Sequence, residues 1–108
     1  MRAVVQRVRR AQVRVAGDVV GEVGEGLCVL LGVTHGDGRP QIVKTARKIA
    51  QLRVLRGVDG DDDARRSAEE AGASVLLVSQ FTLYADVRKG RSPGWSHAAP
   101  GDVAEPVV

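Results

Sequence analysis

The sequence has little of what would build a secreted or membrane-spanning protein. It contains one cysteine, and only three of its 108 residues are aromatic. A single cysteine excludes an intramolecular disulfide framework and fits a reducing compartment. The longest apolar run, residues 27–31, is too short to cross a bilayer, and charge at position 2 precedes any apolar stretch that could act as a secretory signal. We expect one small, soluble, cytoplasmic domain over residues 1–108.

Acidic residues are scarce in the first half of the chain. Residues 1–54 hold ten Arg or Lys and four Asp or Glu, a net charge of +6, whereas residues 55–108 hold six and nine, a net charge of −3. A basic half rich in arginine suits a nucleic-acid partner, because the guanidinium group binds phosphate through two parallel hydrogen bonds. An ordinary basic surface explains the same counts, so charge alone leaves both interpretations open.

The apolar patterns predict a mixed α/β domain. Alternation over residues 11–15 and an extended pattern over 19–23, separated by a Gly-Asp pair, predict a β-hairpin. The apolar run 27–33 predicts a strand buried on both faces, and residues 75–78 predict a second short buried strand. A helix is expected to begin at Pro40 and to end near Leu52. Loops are expected at 34–38, 59–66 and 90–93, an extended piece at 54–55, and the start of a helix over 96–108.

The second predicted strand leads into Ser-Gln-Phe-Thr at 79–82, at the strand end where α/β sheets commonly bind ligands. A hydroxyl nucleophile there needs a base within hydrogen-bond reach. The two histidines, His35 and His97, have no spacing that relates them to Thr82. The residues alone therefore leave open a hydrolase that uses Thr82 with His97, and polar side chains that only satisfy loose backbone groups.

All three aromatic residues lie within 81–95, beside three of the cations. Rings and cations together suit a site that stacks a base and binds a phosphate. By residue type, Phe81 is expected in the core, and for Trp95 core and site are equally favoured.

No cofactor or metal site is expected. Asp59, Asp61, Asp63 and Glu70 have the spacing of a calcium loop, but Ala64 replaces the glycine that the sharp turn requires. One cysteine and two distant histidines form no zinc pattern, and Cys28 is expected to be an inert buried thiol.

Four segments in order resemble the bacterial D-aminoacyl-tRNA deacylases. They are the opening Met-Arg-Ala-Val-Val-Gln-Arg-Val, the Gly-rich entry to the buried strand at 24–33, the run Val-Ser-Gln-Phe-Thr-Leu-Tyr-Ala-Asp at 78–86, and the segment from Lys89 to Pro100. The resemblance covers essentially the whole chain.

This resemblance implies a tRNA editing hydrolase of α/β fold, with mixed β-sheets and a covering helix. It would cleave the ester between a D-amino acid, or mischarged glycine, and the 3′-terminal adenosine of tRNA. By resemblance Gln80, Phe81 and Thr82 are catalytic, through main-chain stabilisation of the oxyanion and with help from the tRNA ribose hydroxyl. Ser79 and Arg7 would bind substrate.

The resemblance also implies a homodimer and a longer chain. The family continues a few dozen residues beyond Val108, and that tail carries a Gly-cisPro segment that enters the partner subunit's pocket and rejects L-amino acids. None of the four prolines here follows a glycine. We therefore expect the C-terminal part of the fold to be missing from this sequence and its activity to be impaired. A non-catalytic RNA-binding or oligomerisation module is the alternative.

Overall fold

The computed structural model describes residues 1–60, 64–84 and 98–99. Within those residues the chain forms, in order, Arg2–Val8 (β1), Ala11–Val15 (β2), Asp18–Val23 (β3), Gly26–Gly32 (β4), Arg39–Gln51 (α1), a 3₁₀ turn at Val58–Gly60, Ala68–Ala71 (α2), Ser74–Ser79 (β5) and a 3₁₀ turn at Phe81–Tyr84. This is the mixed α/β order that the sequence predicts.

Strand β4 is the centre of a three-stranded sheet. It pairs antiparallel with β1 and parallel with β5. The parallel pair requires a crossover connection, and α1 and α2 lie within it. Leu27 and Val29 have no solvent exposure, and they form the core with Leu55 and Ala68, against which Ile49 of α1 packs. The predicted strand at 27–33 is present, but it is fully buried on one face only, because Cys28 and Leu30 on the other face are half-buried.

Strands β2 and β3 form the predicted hairpin, antiparallel and separate from the central sheet. Its turn places both Ala16 and Gly17 at positive φ, 51° and 86°. Two central residues at positive φ match the right-handed twist of the flanking strands. The hairpin packs against the face of the central sheet that carries Leu76. The contact is close, since a Cβ added at Gly21 of β3 would lie 3.0 Å from Cδ1 of Leu76 in β5.

Helix α1 begins one residue before the expected start and ends one residue before the expected end. Pro40 lies in its first turn, where a missing N–H costs little. The Gln41 side chain accepts a hydrogen bond from the Gly38 N–H at 2.8 Å, which closes the start of the helix. Ile42 and Ile49 are half-buried, and Ile49 packs against the core, so the apolar face points inward as its spacing predicts.

The second apolar strand is less buried than expected. Val75 and Leu77 are each 42% exposed, because β5 is the edge strand of the described sheet and the short helix α2 does not cover it. Cys28 is half-buried rather than buried. These two burial predictions are wrong, since apolar composition does not reveal which strand occupies an edge.

Residues 59–66 are not a simple loop. A 3₁₀ turn ends at Gly60, and Leu55 and Arg66 exchange main-chain hydrogen bonds of 3.0 and 2.9 Å across the base of the excursion. Asp61 to Asp63 lie outside the described residues. Helix α2 begins after Ser67 because Ser67 and Glu70 form a capping box. This sequence signature was not used above, and the short helix was not predicted.

The prediction of a helix over 96–108 is wrong at residues 98 and 99, the two positions of that segment that the structure describes. Ala98 forms an antiparallel bridge with Thr34, and the Ala99 N–H donates to the Val33 carbonyl at 2.8 Å. The rest of that segment and the loop expected at 90–93 lie outside the described residues.

A substitution at Gly26 tests how closely the backbones of β4 and β5 pack. A Cβ at this position would overlap the main-chain carbonyl of Ser74, which cannot move without breaking the parallel pair, whereas a Cβ on Gly24 meets no atom within 4 Å. We expect Gly26→Ala to lower the free energy of unfolding by about 1–3 kcal/mol. Gly24→Ala, the control, should change it by less than about 0.5 kcal/mol. Urea unfolding followed by circular dichroism measures both, and equal stability of the two variants would contradict this packing.

Candidate functional site

The Ser-Gln-Phe-Thr segment lies at the carboxyl edge of the parallel pair, as the sequence predicts. Ser79 ends β5 opposite Leu31 of β4. The Gln80 N–H donates to the Leu31 carbonyl at 2.8 Å, and the chain then turns at once into the 3₁₀ turn that begins at Phe81. The structure therefore brings Ser79, Gln80, Phe81 and Thr82 together at one edge of the sheet.

The Thr82 hydroxyl is held by an amide and not by a base. The Gln80 side chain donates a hydrogen bond from Nε2 to Thr82 Oγ1 at 2.5 Å. Among the described residues, no imidazole or carboxylate makes a hydrogen bond with this hydroxyl. His97 lies outside those residues. Within the described chain, Thr82 thus lacks the base that an activated nucleophile requires.

The main chain of this turn offers a donor. The Leu83 N–H bonds to the Gln80 carbonyl at 3.4 Å, whereas the Thr82 N–H donates to no described residue. The first N–H groups of a helical turn have no partner inside the turn and can bind an oxygen atom from a ligand. Thr82 is itself exposed, so a ligand can reach this N–H.

Gly32 sets how closely the turn approaches β4. A Cβ at Gly32 would lie 3.0 Å from Cβ of Leu83, 3.1 Å from Cδ2 of Tyr84 and 3.2 Å from the Gln80 carbonyl oxygen. The turn therefore rests directly on the backbone of the central strand. Its main-chain atoms are positioned by contact with another main chain, not by long side chains.

Arg2 fixes the far end of the turn from the neighbouring strand. Its Nη1 donates to the Leu83 carbonyl at 2.8 Å, and its guanidinium carbon lies 4.5 Å from the centre of the Tyr84 ring, a cation–π contact. Tyr84 is 7% exposed. Burial raises the pKa of its hydroxyl, the Asp37 charge adds to this rise, and Arg2 opposes it.

Asp37 ties the loop after β4 to the start of β1. Its Oδ2 lies 2.8 Å from the Met1 amino group and accepts the Thr34 N–H at 2.9 Å, and its side chain is 5% exposed. Burial raises the pKa of Asp37, but the hydrogen bonds from Met1 and Thr34 and the positive charge of Met1 outweigh it, so the pKa lies below the ordinary 3.8. The carboxylate is charged at neutral pH.

Arg7 lies at the other end of the sheet. It pairs with Leu27, four residues before Leu31, a separation of roughly 13 Å along the strand. Its Nη1 donates to the Val54 carbonyl at 3.3 Å. The described chain does not bring Arg7 to the Thr82 turn, and its substrate-binding role stays a prediction.

Phe81 is 56% exposed, so the expectation of a core position is wrong. It begins a 3₁₀ turn at the sheet edge, where no described element covers the ring completely. Trp95 lies outside the described residues, so its two interpretations are unchanged.

No described helix is long and apolar enough to span a membrane. Within the same ranges, no three or more His, Cys, Asp or Glu side chains lie close enough to hold a metal ion.

Comparison with known sequences identifies the family. The sequence profile of the D-Tyr-tRNA(Tyr) deacylases matches residues 4–108. The chain belongs to this family. A D-aminoacyl-tRNA deacylase of Kineococcus radiotolerans is 65% identical over the whole chain, which spans 72% of that relative, and one of Beutenbergia cavernae is 62% identical with the same coverage.

Solved structures agree with the deacylase fold. The chain superimposes on the c-Myc DNA Unwinding Element Binding Protein with a TM-score of 0.90 and 40% identity, covering 99% of this chain and 70% of the other. A structure described as a probable eukaryotic D-amino acid tRNA deacylase gives a TM-score of 0.80 at 17% identity, covering 97% and 61%. The predicted deacylase-like α/β fold and membership of a hydrolase family are both confirmed.

Sequence reasoning did not identify Arg2, Gly32, Asp37 or Tyr84 as supports of this turn. Arg2 and Tyr84 do lie inside segments that resemble the deacylases. Nothing in their spacing relates Arg2 to Leu83, however, because 81 residues separate them and only the strand register brings them into contact.

Asp37 predicts an acid dependence of stability. Because its pKa is lower in the folded chain, its contribution is complete above the unfolded pKa and is lost as the pH falls through the folded pKa, below 3.8. We expect Asp37→Asn to lower the unfolding free energy at pH 7 by about 1–3 kcal/mol. The variant should also lose less stability than the parent between pH 5 and pH 2.

Thermal unfolding across that pH range measures both effects. Asp18→Asn, at an exposed position of the hairpin, makes the same substitution without disturbing the site and is the control. Identical pH curves for Asp37→Asn and the parent would contradict the assigned role of Asp37.

Proposed function

We propose that this chain hydrolyses the ester between a D-amino acid, or mischarged glycine, and the 3′-terminal adenosine of tRNA. Membership of the deacylase family and the names of relatives more than 60% identical support this substrate class. In the reaction, water adds to the ester carbonyl, the bond to the ribose oxygen breaks, and the products are the free amino acid and a tRNA with its 3′-terminal hydroxyl restored.

The proposed catalysis uses the main-chain N–H of Thr82, in the turn that begins at Phe81. As water attacks, negative charge develops on the ester carbonyl oxygen, and preorganised N–H donors stabilise it. The single observation that carries this mechanism is the state of Thr82: its hydroxyl accepts from the Gln80 amide, no described base contacts it, and its N–H donates to no described residue. The ribose hydroxyl beside the ester assists the water.

The proposed roles follow from these positions. Gln80 holds the Thr82 hydroxyl through a hydrogen bond. Gly32 lets the turn rest on β4, and Arg2 binds the Leu83 carbonyl at the far end of the turn. Phe81, which is 56% exposed at the start of the turn, is proposed to contact the substrate. Ser79 and Arg7 are proposed to bind substrate, Arg7 from the far end of the sheet.

The proposal includes tRNA binding, action in the cytoplasm where charged tRNA is found, and a homodimer. Two strongly apolar side chains of the edge strand, Val75 and Leu77, are 42% exposed in the single chain and would gain burial in an association of subunits. Analytical ultracentrifugation at two protein concentrations tests the dimer.

A nucleic-acid-binding protein without catalysis is the second candidate. One observation favours it: a solved structure 40% identical to this chain is named for binding a DNA element. This candidate predicts tRNA affinity with no ester hydrolysis.

The direct assay is release of D-tyrosine from D-tyrosyl-tRNA, with L-tyrosyl-tRNA as the control ester. We expect hydrolysis of the D-ester above the spontaneous rate. Hydrolysis of both esters would still support the oxyanion site while showing no stereochemical discrimination. No turnover at high enzyme concentration, with tRNA still bound, would overturn the proposal in favour of the second candidate.

Thr82→Ala separates main-chain catalysis from a threonine nucleophile. The variant keeps the N–H and loses only the hydroxyl, so we expect kcat/KM to fall by about tenfold or less. Loss of a nucleophile would cost several orders of magnitude.

Thr82→Ser is the matched control, because it restores a hydroxyl that Gln80 can bind. A drop of about a thousandfold or more in Thr82→Ala, with activity recovered in Thr82→Ser, would assign the chemistry to the hydroxyl and contradict the main-chain mechanism.

A further inference from the structure

Helix α1 carries four positive charges and no negative charge, as residues 1–17 carry five arginines and no acidic residue. The helix holds Arg39, Lys44, Arg47 and Lys48 and contains no Asp or Glu. The whole chain has 16 cations and 13 acids, so the residues outside α1 hold 12 and 13, a net charge of −1.

These four cations lie on the exposed side of α1. All four are exposed, whereas Ile49 packs against the core. Within the described ranges, none of the four forms an ion pair or a hydrogen bond through its side chain. Arg53, which lies just beyond the helix, is in contrast paired with Glu70 at 3.0 Å. Among the residues that the structure describes, no acidic side chain thus neutralises the basic face of α1.

Most of this charge does not serve the stability of the helix. Arg39 lies in the first turn, where the helix dipole disfavours a cation, and no acidic residue occupies that turn. Lys44 is four residues from Lys48 and three from Arg47, so like charges face one another along the same side. Only Lys48 lies in the last turn, where a cation is favourable. A ligand that carries negative charge would relieve this repulsion.

The basic face begins beside the candidate site. Leu31 near the end of β4 binds the Gln80 N–H, and the loop after β4, fixed by Asp37, leads directly to the first turn of α1. From Arg39 to Lys48 the face extends about 13 Å along the helix axis, a length that spans two or three successive phosphates. A polynucleotide with its 3′ end at the Thr82 turn can therefore continue along α1.

We propose that the basic face of α1, formed by Arg39, Lys44, Arg47 and Lys48, binds the phosphate backbone of the tRNA whose 3′ end enters the site. The inference rests on the proposed function for the identity of the RNA. Phosphate is the chemistry that matches a row of exposed cations at helical spacing, and such contacts position a nucleic acid without reading its sequence.

The test uses Lys44→Gln combined with Arg47→Gln, which removes two charges and keeps residues of good helix propensity. Deacylated tRNA is the probe, and its Kd is measured at a series of salt concentrations. We expect about tenfold or greater weakening at low salt, and a slope of log Kd against log salt reduced by about two. With D-tyrosyl-tRNA, KM should rise while kcat is unchanged.

The matched control combines Arg10→Gln with Arg14→Gln, which makes the same change in net charge at exposed positions outside α1. Its tRNA affinity should stay within about twofold of the parent. The melting temperature of the α1 variant should equal or exceed that of the parent, because repulsion is relieved. A lower melting temperature with unchanged tRNA affinity would mean that the charges act on folding, and would overturn the inference.

The remaining outcomes keep this inference apart from the proposed function. A parent that binds tRNA but does not hydrolyse the D-ester, with binding lost in the α1 variant, supports the basic face and overturns the activity. A parent that hydrolyses the ester, with KM and Kd unchanged in the variant, supports the activity and overturns the basic face. Loss of binding to anionic vesicles with unchanged tRNA affinity would also overturn it.

Discussion

The backbone of β4 is the constraint on which the rest of the structure depends. It is hydrogen-bonded to β1 along one edge and to β5 along the other, and its side chains Leu27 and Val29 are completely buried. Its last residue, Gly32, has no side chain and lets the turn after β5 rest on the main chain. The loop that leads to α1 starts from the same point. One strand end therefore positions both the candidate site and the basic helix.

The charged side chains next to the candidate turn are already engaged within the chain. Around the turn, Asp37 is neutralised by Met1, and Arg2 is engaged with Leu83 and Tyr84. What the turn offers to an ester is uncharged: a main-chain N–H and an amide-bound hydroxyl. A turn built in this way can stabilise a developing negative charge without a titrating catalytic side chain, while the cations proposed to bind tRNA lie on α1.

Sequence patterns predicted the parts of this fold that depend on local order. The apolar run at 27–33, the hairpin, the helix from Pro40 and the position of Ser79 to Thr82 at a strand end all follow from periodicity and turn residues. The exposures of Leu77 and Phe81 could not be predicted, because they depend on which strand lies at the sheet edge. The contact of Arg2 with Leu83 depends on register between segments 81 residues apart. The resemblance pointed to the candidate segment at 79–82, but not to the residues that support it.

The central claim is that backbone contact with β4 positions the turn proposed to be catalytic, and Gly32→Ala tests it most directly. The added Cβ would meet Leu83, Tyr84 and the Gln80 carbonyl at 3.0–3.2 Å and displace the turn by a few tenths of an ångström. The account predicts that kcat/KM for D-tyrosyl-tRNA falls by about tenfold or more while tRNA affinity is retained. Gly24→Ala, where a Cβ meets no atom within 4 Å, should keep the parent's activity. Equal activity of Gly32→Ala and the parent would contradict the account.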